Sequence, residues 1–304
     1  MKNLKKTIAL ILMVSLALCA FAGCSGSSNA QEGTITIIDG SFAEMNLFTQ
    51  VARIMIEEHT DLEVKVNDAM ANTLAFEEIK KGSMDIFMSY DGSLLATYLQ
   101  SDVSEVPEGE TLYDYVVEKA KREANVLMLD QLGHENTYAI AVKQELADRY
   151  NLETISDLRE YSGDLVFATE HEFFDEEGTI RFIPFCAYYD IEFKESKQIL
   201  LDLKYTGIDS GNMDVTMVYG SDGLNKKSDL KILTDDLKFF PDYHGAYIVR
   251  GDLFEDYPEL EAVFAKLAGQ FSLETCIDLN YQIDVEERDP YEVAYEYLSG
   301  KGLI

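Results

Sequence analysis

The chain has 304 residues, with 25 Lys plus Arg against 56 Asp plus Glu and a formal net charge of −31. Such an acidic balance excludes nonspecific nucleic-acid binding, is explained mostly by solubility, and favours cationic or neutral ligands. Four cysteines are too few for a disulfide framework, while the apolar content is ample for folded cores.

The amino terminus carries Lys2, Lys5 and Lys6 ahead of an apolar run from Ile8 to Ala22 broken only by Ser15. That run is short for a bilayer span and has the form of a secretory signal over residues 1–23. It ends in Phe21-Ala22-Gly23-Cys24, which resembles a bacterial lipobox with Cys24 as the lipidated residue, although Phe21 stands where an aliphatic residue is usual. Residues 24–32 read as a flexible tether, and about 280 residues remain beyond the signal, enough for two lobes of ordinary size. No later apolar stretch is long enough to cross a membrane. Cys186 and Cys276, the two cysteines of the folded part, sit in apolar helical contexts and are expected as buried free thiols.

From Gly33 onward short β runs alternate with amphipathic helices. Thr34 to Ile38 is a predicted strand; Leu47, Phe48, Val51, Ala52 and Met55 recur at helical spacing; Leu62, Val64 and Val66 alternate at period two. A second helix is expected from near Asn72 to Gly82, followed by a buried strand at Met84 to Met88. This order predicts parallel strands covered by helices. Further strands are expected at Tyr138 to Val142, Leu165 to Thr169, Leu230 to Leu233 and Gly245 to Val249. Helices are expected near Lys143 to Tyr150, after the capping box Thr154-Ile155-Ser156-Asp157, around Ile180 to Tyr189, and from Asp289-Pro290 onward.

One internal repeat stands out. Gly82-Ser-Met-Asp85-Ile-Phe-Met-Ser-Tyr90 recurs as Gly211-Asn-Met-Asp214-Val-Thr-Met-Val-Tyr219, with Gly, Met, Asp, Met and Tyr in common. In each copy a helix ends, a strand follows, and a Tyr emerges before a Gly-containing turn. Two similar lobes are implied, and because open α/β sheets bind ligands beyond the carboxyl ends of their strands, Tyr90 and Tyr219 would face a shared cleft.

Several ordered segments then resemble the osmoprotectant-binding proteins of ABC transporters that take up glycine betaine, choline and carnitine. They are Gly133-His-Glu-Asn-Thr-Tyr138, Tyr150-Asn-Leu-Glu-Thr-Ile-Ser-Asp-Leu158, Ala168-Thr-Glu-His-Glu-Phe173, Phe239-Phe-Pro-Asp-Tyr243 and Leu279-Asn-Tyr-Gln-Ile-Asp284. The resemblance runs from about Thr34 to Ile304. It implies an α/β type II periplasmic-binding-protein fold, with two α/β lobes, a hinge and an interlobe ligand cleft. Lobe 1 would comprise residues 33–137 plus 243–304 and lobe 2 residues 138–242. It also implies a tyrosine cage of Tyr90, Tyr138, Tyr219 and Tyr243, no cofactor, no metal, and a monomer that delivers its ligand to an ABC permease and ATPase outside the cytoplasm. A trimethylammonium head has no N–H to donate, so ring faces must hold it, at about 0.5 to 2 kcal/mol each.

The sequence departs from the family at two places. Met45 in Phe42-Ala43-Glu44-Met45 replaces a Gln, and Tyr90-Asp91-Gly92-Ser93 replaces Tyr-Thr-Gly-Thr. These positions hold the carboxylate or hydroxyl end of the ligand in the family. Met45 cannot donate a hydrogen bond and Ser93 can, which weakens carboxylate recognition and moves the expectation towards choline. Asp91 is either an added anion for a cation or simply a turn residue before Gly.

Other classes fit less well. There is no nucleophile elbow, P-loop or dinucleotide turn, and His59, His134, His171 and His244 are scattered without zinc-protease spacing. Two alternatives keep the fold: a binding protein for another cation or zwitterion such as ergothioneine, and a sensing lipoprotein without a transport role.

Overall fold

A computed structural model of the protein describes residues 33–174, 180–200 and 203–304. The expected signal and tether, with Cys24, lie outside the described residues. Ten strands follow one another as β1 (Thr34–Ile38), β2 (Glu63–Asn67), β3 (Ile86–Tyr90), β4 (Val126–Met128), β5 (Tyr138–Lys143), β6 (Val166–Thr169), β7 (Glu195–Gln198), β8 (Val215–Tyr219), β9 (Leu230–Ile232) and β10 (Gly245–Arg250). They form two sheets, ordered β2-β1-β3-β10-β4 and β7-β6-β8-β5-β9.

The two orders are the same pattern used twice. β1 is parallel to β2 and β3, as β6 is parallel to β7 and β8, whereas β10 is antiparallel to β3 and β4, as β5 is to β8 and β9. The sheets are therefore mixed, not parallel throughout as the βαβ order predicted. β5 and β10 are the strands by which the chain enters one lobe from the other, so they start at the cleft end and run against the βαβ strands. Their first residues fall opposite the repeat tyrosines: Tyr138 pairs with Tyr219, and Gly245 with Tyr90.

The sequence repeat acquires a structural role in both lobes. Gly82 and Gly211 each adopt φ +71° in the turn before the strand, a left-handed conformation that a Cβ would strain. Asp85 Oδ2 then accepts the Thr36 amide at 2.7 Å and hydroxyl at 2.6 Å, and Asp214 Oδ2 accepts the Val166 amide at 2.8 Å. Each aspartate thus ties the start of its own strand to the neighbouring parallel strand. This anchoring begins β3 at Ile86, two residues later than the expected Met84.

Helices α1 (Ala43–His59), α2 (Asn72–Lys80), α3 (Leu112–Ala124), α4 (Gln144–Tyr150), α5 (Phe182–Tyr189), α6 (Lys204–Asp209), α7 (Leu224–Lys227), α8 (Leu273–Asp284) and α9 (Pro290–Lys301) cover the sheets, together with the helices Leu253–Asp256 and Glu259–Ala265 and several 3-10 turns. The capping box at Thr154 and Asp157 forms but opens a 3-10 turn, Ile155–Glu160, in place of an α-helix. α9 starts with Asp289 accepting the Tyr291 and Glu292 amides, and its Val293, Ala294 and Leu298 pack with Phe48, Val51 and Met55 of α1 in the first core. The second core gathers Ile140, Phe167, Phe185, Tyr189 and Phe240. Cys276 belongs to the first core and Cys186 lies against the second; both thiols are free, and Cys186 is half-buried.

The two crossover segments are tied to each other. Glu135 and His244 form an antiparallel bridge, and the Asn136 amide donates to the Tyr243 carbonyl at 3.0 Å. The His244 ring lies between two carboxylates, Nδ1 at 2.9 Å from Asp91 Oδ2 and Nε2 at 3.1 Å from Glu135 Oε1. Those hydrogen bonds, Asp91 first, raise the imidazole from 6.5 to about 10 against the opposing effect of burial. Because the folded-state value is the higher one, the stabilisation is complete below about pH 6.5 and is lost as pH rises towards 10. The urea stability of wild type relative to His244→Gln should therefore shrink across that window, and a difference that stays constant from pH 6 to 10 would show that the crossover clasp is not held by an imidazolium.

Candidate functional site

A cavity of about 760 Å3 opens between the carboxyl ends of the two sets of strands. Its lining includes Tyr90, Ser93 and Met45 from lobe 1, Tyr219 and Tyr205 from lobe 2, and Tyr243 from the second crossover. The topology explains the gathering: Tyr90 and Tyr219 end β3 and β8, and Tyr243 precedes β10, whose first residue pairs with Tyr90.

The rings come as two pairs. Tyr90 and Tyr243 stack at 4.8 Å and 20°, and Tyr138 and Tyr219 tilt at 5.4 Å and 58°. Tyr138 is not among the residues lining the cavity. It stands behind Tyr219, edge-on to Phe173 at 6.3 Å and Phe240 at 6.4 Å. The Tyr243 hydroxyl is hydrogen-bonded to Ser93 Oγ, and Gly92 lets that ring lie close to the turn, since a Cβ at 92 would fall 2.4 Å from Tyr243 Cδ2.

Asp91 does not line the cavity. Its fully buried carboxylate is spent on the Gly92 amide at 2.7 Å, the His244 amide at 2.9 Å and the His244 ring. Of the two roles open in the sequence, the geometry gives it the turn. The anion near the rings is instead Glu44, in the first turn of α1 and 1% exposed. Glu44 Oε1 accepts the Tyr90 hydroxyl at 2.5 Å and lies 3.2 Å from His134 Nε2, while Oε2 accepts Asn280 Nδ2 at 3.1 Å. Burial raises the Glu44 carboxyl, but His134 and the hydrogen bonds from His134, Ser221 and Tyr90 outweigh it and leave the group lowered, hence ionised. Burial and the Glu44 charge push the Tyr90 phenol far up, and burial chiefly raises Tyr243, so both present neutral rings at physiological pH.

Asn280 joins the lobes at the cavity floor, its Nδ2 also donating to the Ser221 carbonyl at 2.8 Å. The lining is also acidic, with Asp209, Asp222 and Asp284 against a single lysine, Lys227. Burial, with the Asp222 charge adding, raises the Asp284 carboxyl. The Tyr205 hydroxyl donates to Asp222 Oδ2 at 2.6 Å.

Among the described residues, Glu44, His134 and Cys276 bring possible metal ligands within 4.8 Å of one another. Both Glu44 oxygens are already hydrogen-bonded, and burial, with Glu44 adding, keeps the Cys276 thiol protonated. The trio is a packed polar cluster whose His134 ring stacks on Phe48 at 4.9 Å.

Sequence reasoning did not name Glu44, Asn136, Asn280 or Asp284 as site residues, although three of them lie in segments that carried the family resemblance, Gly133 to Tyr138 and Leu279 to Asp284. Tyr205 gave no signal, being one tyrosine in an unremarkable helical stretch.

Residues 33–300 match the family described as the substrate binding domain of ABC-type glycine betaine transport systems. The chain is 32% identical to the carnitine transport binding protein OpuCC of Listeria monocytogenes, covering 97% of this chain and 96% of that one. It is 31% identical to the ergothioneine transport permease/ergothioneine binding protein EgtU of Helicobacter pylori, over 73% of this chain and 39% of that larger protein. Among solved structures, that of a glycine betaine/carnitine/choline ABC transporter protein superposes with a TM-score of 0.83 at 26% identity, covering 90% of this chain and 99% of that one. The doubled sheet order, the interlobe cavity and the match over nearly the whole chain place it in one family: the protein is a substrate-binding protein of the ABC-type glycine betaine transport family, a solute carrier and not an enzyme.

Proposed function

We propose that this chain is the lipid-anchored, extracytoplasmic and monomeric receptor of an importer for quaternary ammonium solutes, held in a tyrosine cage. Phe21-Ala22-Gly23-Cys24 supports the anchor at Cys24. Tyr90, Tyr219 and Tyr243 supply the ring faces, Tyr138 backs Tyr219, and the lobes meet at residues near 138 and 243, where the hinge would lie. The observation that carries this reading is that four tyrosine rings, Tyr90, Tyr205, Tyr219 and Tyr243, line a cavity whose charged groups are four carboxylates, Glu44, Asp209, Asp222 and Asp284, and one lysine. A cation without N–H groups gains from the rings and the excess of carboxylates, whereas an anion gains only from the lysine.

Within the family's glycine betaine and carnitine type of solute, the cavity favours a ligand whose second end is a hydroxyl. Met45 lines the site without a donor, Ser93 lines it with one, and no arginine is among the lining residues. Ergothioneine, a betaine bound by one relative, is the second reading, supported by a cavity whose volume suits a drug-sized ligand and exceeds what a trimethylammonium head needs.

Calorimetric titration of the purified protein should find choline bound more tightly than glycine betaine, carnitine or ergothioneine, and Met45→Gln should narrow the gap to glycine betaine severalfold by restoring a donor. Tighter ergothioneine would replace choline in this reading, and no heat with any of the four would remove the cage. In the same assay Tyr219→Ala should weaken choline at least tenfold, about the loss of one desolvated cation–π face, while Tyr219→Phe should stay within roughly threefold because the ring remains.

A further inference from the structure

Behind the cavity wall of lobe 2 lies a second cation, one that belongs to the protein. Lys204, the first residue of α6, is fully buried. Its ammonium is 3.3 Å from Glu170 Oε2 and 3.4 Å from Oε1, and the Thr169 hydroxyl donates to the same carboxylate at 2.5 Å. The Lys204 Nζ also lies 5.2 Å from the centroid of the Tyr219 ring and 5.7 Å from that of Tyr205, the two tyrosines that lobe 2 contributes to the cavity lining. Both distances are within cation–π range.

A buried ion pair is a poor way to stabilise a lobe, because desolvation of the two charges roughly cancels their attraction and apolar side chains of similar volume often do as well or better. What this pair adds is an ammonium set against the two tyrosines of the ligand wall. A ring that serves a cation on each face gives less to each: the two charges repel through the ring, and both draw on the same electron density.

We infer that Lys204 is a positioning and specificity-determining residue that acts through Tyr219 and Tyr205, holding both rings in the wall while weakening their attraction for a cationic ligand. It thereby sets how strongly the cage prefers a cation over a neutral molecule of the same shape. This rests on the cage reading above. The weakening has a use in a carrier, which must release its ligand to a permease, and Glu170 limits it by cancelling part of the lysine's charge at longer range.

The test compares choline with its neutral carbon isostere, in which carbon replaces the ammonium nitrogen, each measured by titration or competition. In wild type the ratio of the two affinities reports the charge-dependent share of binding. Lys204→Gln, which keeps a hydrogen bond to Glu170, should raise that ratio roughly three- to tenfold, as expected for removing one of two cations about 10 Å apart in a partly screened environment. The double variant Lys204→Met with Glu170→Gln, which leaves no buried charge unpaired, should raise it in the same direction by a smaller factor. A purely structural lysine would weaken both ligands equally and leave the ratio where it was, and an unchanged or lowered ratio in the double variant, with a cooperative thermal transition retained, would overturn the inference. Wild-type protein that binds choline no better than the isostere would overturn the cage itself, an outcome visible before any variant is made.

Discussion

Glu44 is the charge around which the cleft is organised. A carboxylate removed from water costs several kcal/mol unless its oxygens are satisfied, so its neighbours are not free to vary. Tyr90, His134 and Asn280 each supply a partner, and hydrogen bonds to a charged group contribute about 1.5–3 kcal/mol apiece. Its place in the first turn of α1 adds the favourable end of the helix dipole. Each partner comes from a different part of the chain: the end of β3, the first crossover and α8. One buried anion therefore fixes a ring of the cavity wall, the segment linking the lobes and, through Asn280 to the Ser221 carbonyl, the contact of the second lobe with the first.

The rest of the site follows from using one topology twice. Each lobe ends its central parallel strand in a tyrosine and receives its antiparallel strand from the opposite lobe, so the residue facing that tyrosine is also the first residue after a crossover. The tyrosines at the cavity and the crossover segments are in this way made from neighbouring residues. Anything that displaces Tyr243 must disturb the Asn136-to-Tyr243 bridge, and anything that shifts Tyr138 must disturb its pairing with Tyr219.

The repeat of Gly82 to Tyr90 in Gly211 to Tyr219 was legible because it carries two constraints at once, a left-handed glycine and an aspartate that ties adjacent strands. Patterns of that kind survive where periodicity alone does not. The antiparallel sense of β5 and β10 was not legible, since strand direction depends on which lobe the chain arrives from and leaves no mark on alternation. β7 was missed for a simpler reason: Glu195 to Gln198 is an exposed edge strand with no apolar face to betray it. At the site, Tyr90, Tyr219 and Tyr243 could be placed from motif and resemblance. Among carboxylates the sequence pointed to Asp91 and not to Glu44, because only the fold shows that Asp91 is turned into the crossover clasp while Glu44 meets the Tyr90 hydroxyl.

On the proposed quaternary-ammonium reading, the division of labour between those two carboxylates bears on how a strongly acidic protein would discriminate among small cations. The overall charge attracts every cation alike and acts mainly on encounter, being screened over about 8 Å at physiological ionic strength. Selection needs short-range groups that are indifferent to ordinary ammonium ions, and neutral ring faces meet that need, because a hydrated ion with N–H donors loses more on entering an aromatic wall than a methylated one does. Engagement of two of the carboxylates favours this: Glu44 and Asp91 are already hydrogen-bonded and are not free to capture a simple ion. On the same reading, the remaining carboxylates of the lining would act on the ligand's other terminus. A ligand carboxylate held about 8 Å from Asp222 or Asp284 would meet a repulsion of about 2 kcal/mol at an effective dielectric of about 20, comparable to or more than one ring face returns, whereas a hydroxyl would meet none.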